Sequence, residues 1–200
     1  VNGQGISDGQ PIGTVIVGAG LMGNWHAHAV NRLGGRITAV VDADPARAAA
    51  LASRHRGARI HGDLADALRA GAAHAVHICT PLRSHAELAH VALDGGCHVL
   101  VEKPLADGIS ATEDLLRRAA SVGRQLCPVH QFLFQSGALR AAALLPSLGD
   151  LLHVEAEVAS TGAERSAASA DEVALEILPH ALAFAARFCP AALDGAQWTS

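Results

Sequence analysis

An acidic and a basic residue follow a short apolar segment near the middle of the chain. The stretch HVLVEKPLADG runs from His98 to Gly108, and its first residues have the apolar, β-branched character of a buried strand. Glu102 and Lys103 end this strand, and Pro104 biases the backbone of Lys103 towards an extended conformation. A lysine presented in this way can exchange protons with a substrate hydroxyl. Taken alone, it can equally be an ordinary surface lysine at a strand end.

A second candidate site lies in the stretch VIVGAGLMGNWH. Gly18, Gly20 and Gly23 form the pattern G-x-G-x-x-G directly after an apolar segment and at the start of a helix-forming one. The first glycine allows a tight turn, the second lets the backbone approach a pyrophosphate, and the third permits close packing of the helix. The N–H groups at the helix N-terminus can then bind phosphate oxygens. This adds Leu21 and Met22 to the candidate cofactor-binding residues.

Asp42 ends the next apolar segment, nineteen residues after Gly23. A carboxylate at this position accepts hydrogen bonds from the adenosine ribose hydroxyls. It would also repel a 2′-phosphate, so the sequence favours NAD over NADP as the cofactor. The order of strand, glycines, helix, strand and acid is more specific than the glycines alone, for which a turn without a ligand is the alternative.

Short β-branched segments alternate with helix-forming segments up to about residue 130. Strands that are apolar on both faces, each followed by a helix, indicate a parallel sheet covered on both sides. Right-handed crossovers make such a sheet doubly wound, so the predicted fold class is α/β, a Rossmann fold. Its carboxyl edge would hold the cofactor, next to the segments that end in CTP and EKP. The predicted strands span residues 12–18, 36–42, 58–62, 75–81, 98–104 and 124–130.

The pattern changes after residue 129. A helix is predicted from Phe132 to about Leu145, ending at Pro146, and a second helix from Asp171 to Phe188, interrupted at Pro179. Between them, residues 150–160 alternate apolar and polar side chains as an antiparallel strand does. Because one strand is not a sheet, the chain is expected to be an incomplete version of a two-domain protein. The predicted domains are a flexible leader (1–11), a nucleotide-binding domain (12–130) and the beginning of a second domain (131–200).

Composition argues against several classes of function. The net charge is −4 and no run of Lys or Arg occurs, so no nucleic-acid partner is expected. No apolar stretch approaches the roughly 18 residues of a membrane span. His26 and His28 are two positions apart on a predicted helix and point to different faces, so no metal is expected there. The cysteines lack metal or redox spacing and are expected to be buried free thiols of a cytoplasmic protein: Cys79, Cys97, Cys127 and Cys189.

Four motifs in this order resemble those of the glucose–fructose oxidoreductase, inositol dehydrogenase and rhizopine-catabolism (Gfo/Idh/MocA) family of NAD(P)-dependent oxidoreductases. They are GAGLMGNWHA, ICTPLRSH, GGCHVLVEKPLA and VHQFLF, and the resemblance covers residues 12–188. It implies hydride transfer between nicotinamide and a carbinol carbon of a sugar, cyclitol or nucleotide sugar. It also implies an α+β second domain with an open, mostly antiparallel sheet, which shapes the substrate pocket and joins subunits in a dimer or tetramer.

The resemblance also assigns roles to single residues. Lys103 becomes the catalytic lysine. Many members carry Asp-x-x-x-His on a second-domain helix, and the matching stretch EILPH gives Glu176 and His180 as catalytic residues. Glutamate here replaces aspartate and moves the carboxylate outward, and for His180 a structural role in the helix is the alternative. The motifs further imply cofactor contacts for Thr80, Pro81, His85, Glu102, Lys103 and Gln131.

Two other classes of protein remain open at this point. The family includes a galactose-pathway transcriptional repressor that uses the fold without turnover, so a cofactor-sensing regulator is an alternative to an enzyme. A second alternative is an inactive homologue that binds the nucleotide but lacks a substrate site. The intact EKP lysine and the downstream histidine favour the enzyme.

Overall fold

The computed structural model describes residues 10–71, 73–157 and 170–189. The chain divides into two units, residues 1–129 and 130–200. Most of the predicted leader lies outside the described residues.

Strands and helices alternate through the first unit. The strands are β1 (Gly13–Val17), β2 (Arg36–Val41), β3 (Arg59–His61), β4 (Ala75–Ile78), β5 (His98–Val101) and β6 (Leu126–Pro128). The helices are α1 (Leu21–Arg32), α2 (Pro45–Ala52), α3 (Leu64–Ala70), α4 (His85–Asp94) and α5 (Ile109–Val122). A 3-10 turn at Leu82–Ser84 leads into α4.

The six strands form one parallel sheet in the order β3-β2-β1-β4-β5-β6. The order runs outward from β1 in both directions, which confirms the predicted doubly wound Rossmann sheet. Because all the strands point the same way, the carboxyl ends of β1, β4 and β5 are neighbours on one edge. Ligands of such sheets bind at this edge, where the strand order reverses.

Two apolar layers cover the sheet. On one face, Ile16 of β1 packs in a buried cluster with Ala27 and Val30 of α1. On the other face, Val15 and Val17 belong to a larger cluster with residues of α3, α4 and α5. Full burial of such aliphatic side chains contributes about 1.5–3 kcal/mol each. This explains why the strands read as continuous apolar segments, and it holds the carboxyl edge in place.

Helices make up the regular structure described in the second unit. A 3-10 turn at Gln131–Phe134 precedes α6 (Ser136–Leu148), and α7 spans Ala170–Phe188. The prediction that α6 ends at Pro146 is wrong, because the helix continues through this proline. Pro146 lies in the last turn, where its missing N–H removes a single helical hydrogen bond. The helix ends instead at Gly149, whose φ of 87° other residues rarely adopt.

The strand predicted at residues 150–160 is not formed over its described part. Residues 151–157 are exposed and have no strand structure, and residues 158–160 lie outside the described residues. An alternating pattern forms a stable strand only when a neighbouring strand satisfies its backbone groups. None of the described strands pairs with this segment.

The described cysteines are free thiols, but their burial differs from the prediction. Cys97 is buried and Cys79 and Cys189 are half-buried, whereas Cys127 is exposed on the edge strand β6. The prediction was wrong for Cys127 because strand character does not reveal that a strand lies at the edge of its sheet. None of the described helices is long and apolar enough to cross a membrane.

Candidate active site

The loop between β1 and α1 needs two of its glycines for steric reasons. Gly18 has a φ of 91°, and a Cβ there would lie 2.6 Å from the carbonyl oxygen of Cys79. A Cβ on Gly23 would lie 1.9 Å from the carbonyl oxygen of Gly18. Gly18 therefore permits the turn beside β4, and Gly23 lets α1 pack directly on the loop.

Gly20 differs from these two glycines, because a Cβ built there would meet nothing within 4 Å. Gly20 is the N-cap of α1 and makes no side-chain cap, and the first turn of the helix contains no acidic residue. Asn24 Nδ2 donates to the carbonyl oxygen of Gly20 over 2.8 Å, which fixes the loop from the helix side. Leu21 is 73% exposed and Met22 is half-buried. An open backbone at an uncapped helix N-terminus fits an anionic pyrophosphate.

Asp42 connects the ends of β1 and β2. Its Oδ2 accepts the backbone N–H of Ala19 over 2.7 Å, and its Oδ1 accepts the N–H of Asp44 over 2.8 Å. A carboxylate has about four acceptor sites, so the half-buried Asp42 can accept further hydrogen bonds from ribose hydroxyls. The glycine loop and the acid thus belong to one hydrogen-bonded arrangement that fits a dinucleotide.

His85 joins the segments that follow β4 and β5. The ring is 1% exposed; its Nε2 lies 2.7 Å from the carbonyl oxygen of Thr80, and its Nδ1 lies 2.8 Å from that of Pro104. Thr80 is half-buried and Pro81 is exposed at the carboxyl edge. Because backbone oxygens occupy both ring nitrogens, any effect of His85 on a cofactor passes through the two segments that it joins.

Glu102 and Lys103 lie at the same edge, directly after β5. The backbone N–H of Glu102 continues the sheet by donating to the carbonyl oxygen of Ile78 over 2.9 Å. Its carboxylate is buried: Oε1 lies 3.0 Å from Nε2 of His26, and the carboxylate also accepts the backbone N–H of Lys103. Lys103 itself is half-buried. Glu102 therefore bonds its own surroundings and fixes the backbone from which the lysine extends.

A second histidine extends this buried contact. Nδ1 of His77 on β4 lies 3.2 Å from Nδ1 of His26 on α1. Burial, and then the neighbouring His26, lower the pKa of His77 to about 4. Burial raises the pKa of Glu102, but the hydrogen bond and charge of His26, together with Lys103, outweigh it and hold that pKa below its usual value. Burial, followed by the charge of Glu102, raises the pKa of the Cys79 thiol.

These contacts between side chains were not predicted from the sequence. His26 and Glu102 are 76 positions apart, and His26 and His77 are 51 positions apart, so no local pattern joins them. The available signal was the combination of two histidines on predicted apolar elements with an acid at a strand end.

A feature of the composition also distinguishes Lys103. It is the only lysine of the 200 residues, and the other 14 cationic side chains, of the 15 Lys and Arg residues, are arginines. Arginine does not lose its proton in proteins, whereas a lysine amine can. The single lysine therefore lies at the carboxyl edge of the sheet, directly after β5.

The predicted residues of the second unit lie close together in the fold of that unit. His180 on α7 is buried, and its ring stacks on Phe132 with centroids 4.2 Å apart. Gln131 is exposed at the start of the 3-10 turn that contains Phe132. Glu176 lies one turn before His180 on α7, and its side chain is outside the described residues. The convergence of His180 on Lys103 stays a prediction.

Metal-ligand geometry is not found in the described parts of either unit. Within residues 10–71, 73–157 and 170–189, no group of three or more His, Cys, Asp or Glu side chains could hold an ion.

Comparison with known proteins identifies the family. Residues 12–130 match the profile of the Gfo/Idh/MocA family, described as an oxidoreductase family with an NAD-binding Rossmann fold. The match covers more than half of the chain, and the chain belongs to this family. The resemblance seen in the four sequence motifs is confirmed.

Three known proteins are similar to this chain. Inositol 2-dehydrogenase of Rubrobacter xylanophilus is 37% identical over 124 residues, which are 61% of this chain and 35% of that protein. The crystal structure of GenD2 from gentamicin A biosynthesis, in complex with NAD, is 31% identical with a TM-score of 0.65, covering 68% of this chain and 39% of that one. The WlbA dehydrogenase of Chromobacterium violaceum, in complex with NADH and UDP-GlcNAcA, is 27% identical with a TM-score of 0.66, covering 71% and 41%. The chain thus spans about two fifths or less of each of these proteins.

Proposed function

We propose that the protein is an NAD-dependent oxidoreductase that transfers hydride between nicotinamide and a carbinol carbon of a sugar, cyclitol or nucleotide sugar. The observation that carries the proposal is the position of Lys103. The lysine follows β5, and the glycine loop follows β1, with only β4 between these strands in the sheet. A group that exchanges protons and a loop that fits a dinucleotide therefore share one edge.

Cofactor binding is assigned to the loop and the acid beside it. The open backbone at Gly20 and the N-terminus of α1 would hold the pyrophosphate, with Leu21 and Met22 in the first turn. Asp42 would accept the ribose hydroxyls, and its charge disfavours the additional phosphate of NADP. When bound, NAD supplies the acceptor or donor of hydride.

Proton transfer is assigned to Lys103. In the oxidative direction a base must take the hydroxyl proton while the carbinol carbon gives up hydride, and the lysine amine would serve as that base. Thr80 and Pro81 would line the same edge, and Gln131 would be a further contact of the cofactor. His180 would orient the substrate or share the proton, with Glu176 as its partner one helical turn away.

The substrate class and the second domain are inferred from the relatives. An inositol dehydrogenase and a dehydrogenase solved with UDP-GlcNAcA both act on or bind hydroxylated rings, which favours a polyol or sugar substrate. Residues 131–200 would belong to the domain that selects it. The same domain would join subunits into a dimer or tetramer of a cytoplasmic protein.

Formation of NADH against a panel of sugars, cyclitols and nucleotide sugars tests the proposal. We expect turnover with NAD for at least one compound and its loss in Lys103→Met. The alternative is a protein that binds NAD tightly but reduces no NAD with any compound of the panel and oxidises no NADH with the corresponding ketones. Such a protein would be a regulator or sensor.

A further inference from the structure

Three polar side chains are linked by contacts that end at Glu102, the residue before the proposed catalytic lysine. They lead from His77 on β4 to His26 on α1, and from there to Glu102 after β5, with contacts of 3.2 and 3.0 Å. Glu102 is 7% exposed and His26 is 8% exposed, so the pair is shielded from water. The carboxylate also accepts the backbone N–H of Lys103. The contacts thus connect the half-buried His77 and the buried His26 with the backbone of the reactive residue.

Hydrogen-bonding rules fix the direction of these contacts. A carboxylate only accepts, so Nε2 of His26 must carry the proton that it shares with Glu102. If His26 is neutral, its Nδ1 is an acceptor, and Nδ1–H of His77 donates to it. If His26 is charged, both of its nitrogens donate, and His77 accepts as the other tautomer. In either state every contact is a hydrogen bond and Glu102 keeps its donor.

Packing alone does not account for these residues. A buried carboxylate is costly unless it is paired and hydrogen-bonded, and apolar residues of similar volume usually give equal or greater stability. Ile16, which pairs with His77 in the sheet, is apolar and fully buried. The polar contacts lie at the end of β5, directly before Lys103. We therefore expect these polar residues to have a function at the lysine.

We propose that His26 and His77 are positioning residues for Lys103, which act by fixing the Glu102 carboxylate against the lysine backbone N–H. The proposal rests on the proposed function, since it assigns to Lys103 the proton transfer described above. The effect of His26 on the contact between Glu102 and the Lys103 N–H can be tested without measuring turnover. Without the His26 donor, the buried carboxylate would take up a proton more readily and would hold the Lys103 N–H less firmly.

The titratable groups around Glu102 come from α1, from the segment after β4 and from the next residue in the chain. His26 faces it from α1 and Cys79 from the segment after β4, while Lys103 is its neighbour in the chain and His77 acts through His26. Cys79 stays uncharged at neutral pH because burial raises its pKa. Removal of the His26 donor should therefore dominate the response of Glu102.

The single lysine makes the test direct. The 200-residue chain, expressed with ¹⁵N-lysine, gives one backbone amide signal in a proton–nitrogen NMR spectrum, and this signal belongs to Lys103. Its chemical shift reports the hydrogen bond to Glu102 and is followed from pH 7 to pH 4. The variants are His26→Phe, which removes the donor, and His26→Gln, which retains an N–H donor. His28→Phe, an exposed histidine on the same helix, is the matched control.

In the unmodified protein and in His28→Phe the signal should stay nearly constant down to about pH 5, because the pKa of Glu102 is held below its usual value. In His26→Phe a titration should appear, with its midpoint raised by about 1–3 pH units. His26→Gln should restore most of the original behaviour. Glu102→Gln combined with His26→Phe should abolish this titration, which identifies Glu102 as the reporting group.

Two results would overturn the proposal. One is an amide titration in His26→Phe that matches the unmodified protein; if that variant does not fold, an unchanged titration in His77→Val serves the same purpose. The other is a turnover in folded His26→Phe equal to that of His28→Phe, where we expect a loss of up to about 100-fold with a dissociation constant for NAD within about two-fold. If no substrate is ever turned over, the proposed function fails while the amide titration still decides whether His26 fixes the contact between Glu102 and the Lys103 N–H.

Discussion

Asp42 Oδ2 accepts the backbone N–H of Ala19 over 2.7 Å, which ties the acid at the end of β2 to the loop at the end of β1. The acid proposed to select the cofactor therefore also shapes the loop that would bind the pyrophosphate. A change at this position affects both functions, and experiments must separate them.

Asp42→Asn keeps an oxygen for the Ala19 N–H but removes the charge. We expect the affinity for NAD to fall by about 10- to 100-fold, since a hydrogen bond to a charged group contributes about 1.5–3 kcal/mol. The preference for NAD over NADP should shrink at the same time. Asp44→Asn carries the same loss of charge two positions away and keeps the cap of α2, so it is the control. Fluorescence titrations with both cofactors measure this; tighter binding of NADP by the unmodified protein would contradict the assignment.

Lys103→Met keeps most of the apolar stem but removes the amine. Turnover should fall by about 10²- to 10⁴-fold, the usual contribution of general acid–base catalysis. Binding of NAD should change little. Lys103→Arg is the companion variant, because it retains the positive charge but cannot give up its proton. Near-normal turnover in either variant, measured by NADH absorbance, would remove Lys103 from the chemistry.

Gly23→Ala should destabilise the fold. The new Cβ would lie 1.9 Å from the carbonyl oxygen of Gly18, so α1 must move away from the loop. Such overpacking costs about 1–3 kcal/mol or more. Gly62 is exposed and has nothing within 4 Å of a built Cβ, so Gly62→Ala should stay within about 0.5 kcal/mol of the unmodified protein. Urea unfolding gives both values, and equal stabilities would show that the loop can relax.

Gly20→Ala should weaken NAD binding while leaving the stability of the fold nearly unchanged. Its Cβ meets nothing within 4 Å of the protein, so the free energy of unfolding should change by no more than about 1 kcal/mol. The methyl group would instead occupy the space through which the pyrophosphate approaches, and NAD should bind at least about ten-fold more weakly. Calorimetric titration of the folded variant with NAD tests this; unchanged affinity would show that the phosphates bind elsewhere.

His77 should make stability depend on pH. Burial, and then the neighbouring His26, lower the pKa of His77 from its ordinary 6.5 to about 4 in the folded protein, so the unfolded chain binds the extra proton between these pH values. The contribution of His77 is therefore present above about pH 6.5 and is lost as the pH falls towards 4, with about 2 kcal/mol gone between pH 7 and pH 5. In His77→Val this part of the decrease should disappear. Urea unfolding at the two pH values measures it, and parallel decreases in both proteins would refute the assignment.

Sequence patterns were sufficient for the sheet and for the ends of its strands. The apolar segments around Ile16 and Val40 are buried on both faces, and this double burial is what makes a parallel strand recognisable. Patterns were insufficient where the outcome depends on distant partners. Residues 151–157 alternate apolar and polar side chains as a strand does, but they have no described neighbour with which to pair. Cys127 is exposed because β6 is an edge strand.

The candidate site likewise combines residues with a local sequence signal and residues that only the fold brings together. The glycines and Asp42 carry their signal in local spacing, so they could be proposed from the sequence. The contacts of Glu102 with His26 and His77 depend on α1 packing over β4 and on β5 lying beside it. Such contacts follow from the fold and have no signature in any short stretch of residues.

The presence of one lysine has a practical consequence for work at the bench. Reagents that acylate or cross-link side-chain amines, including those used to attach proteins to sensor surfaces, have a single lysine target in these 200 residues, and it is the proposed reactive amine. Conventional amine coupling would thus act as an inhibitor, and the loss of activity that it causes could be titrated as a count of working sites. Attachment through the exposed thiol of Cys127 would leave that amine untouched.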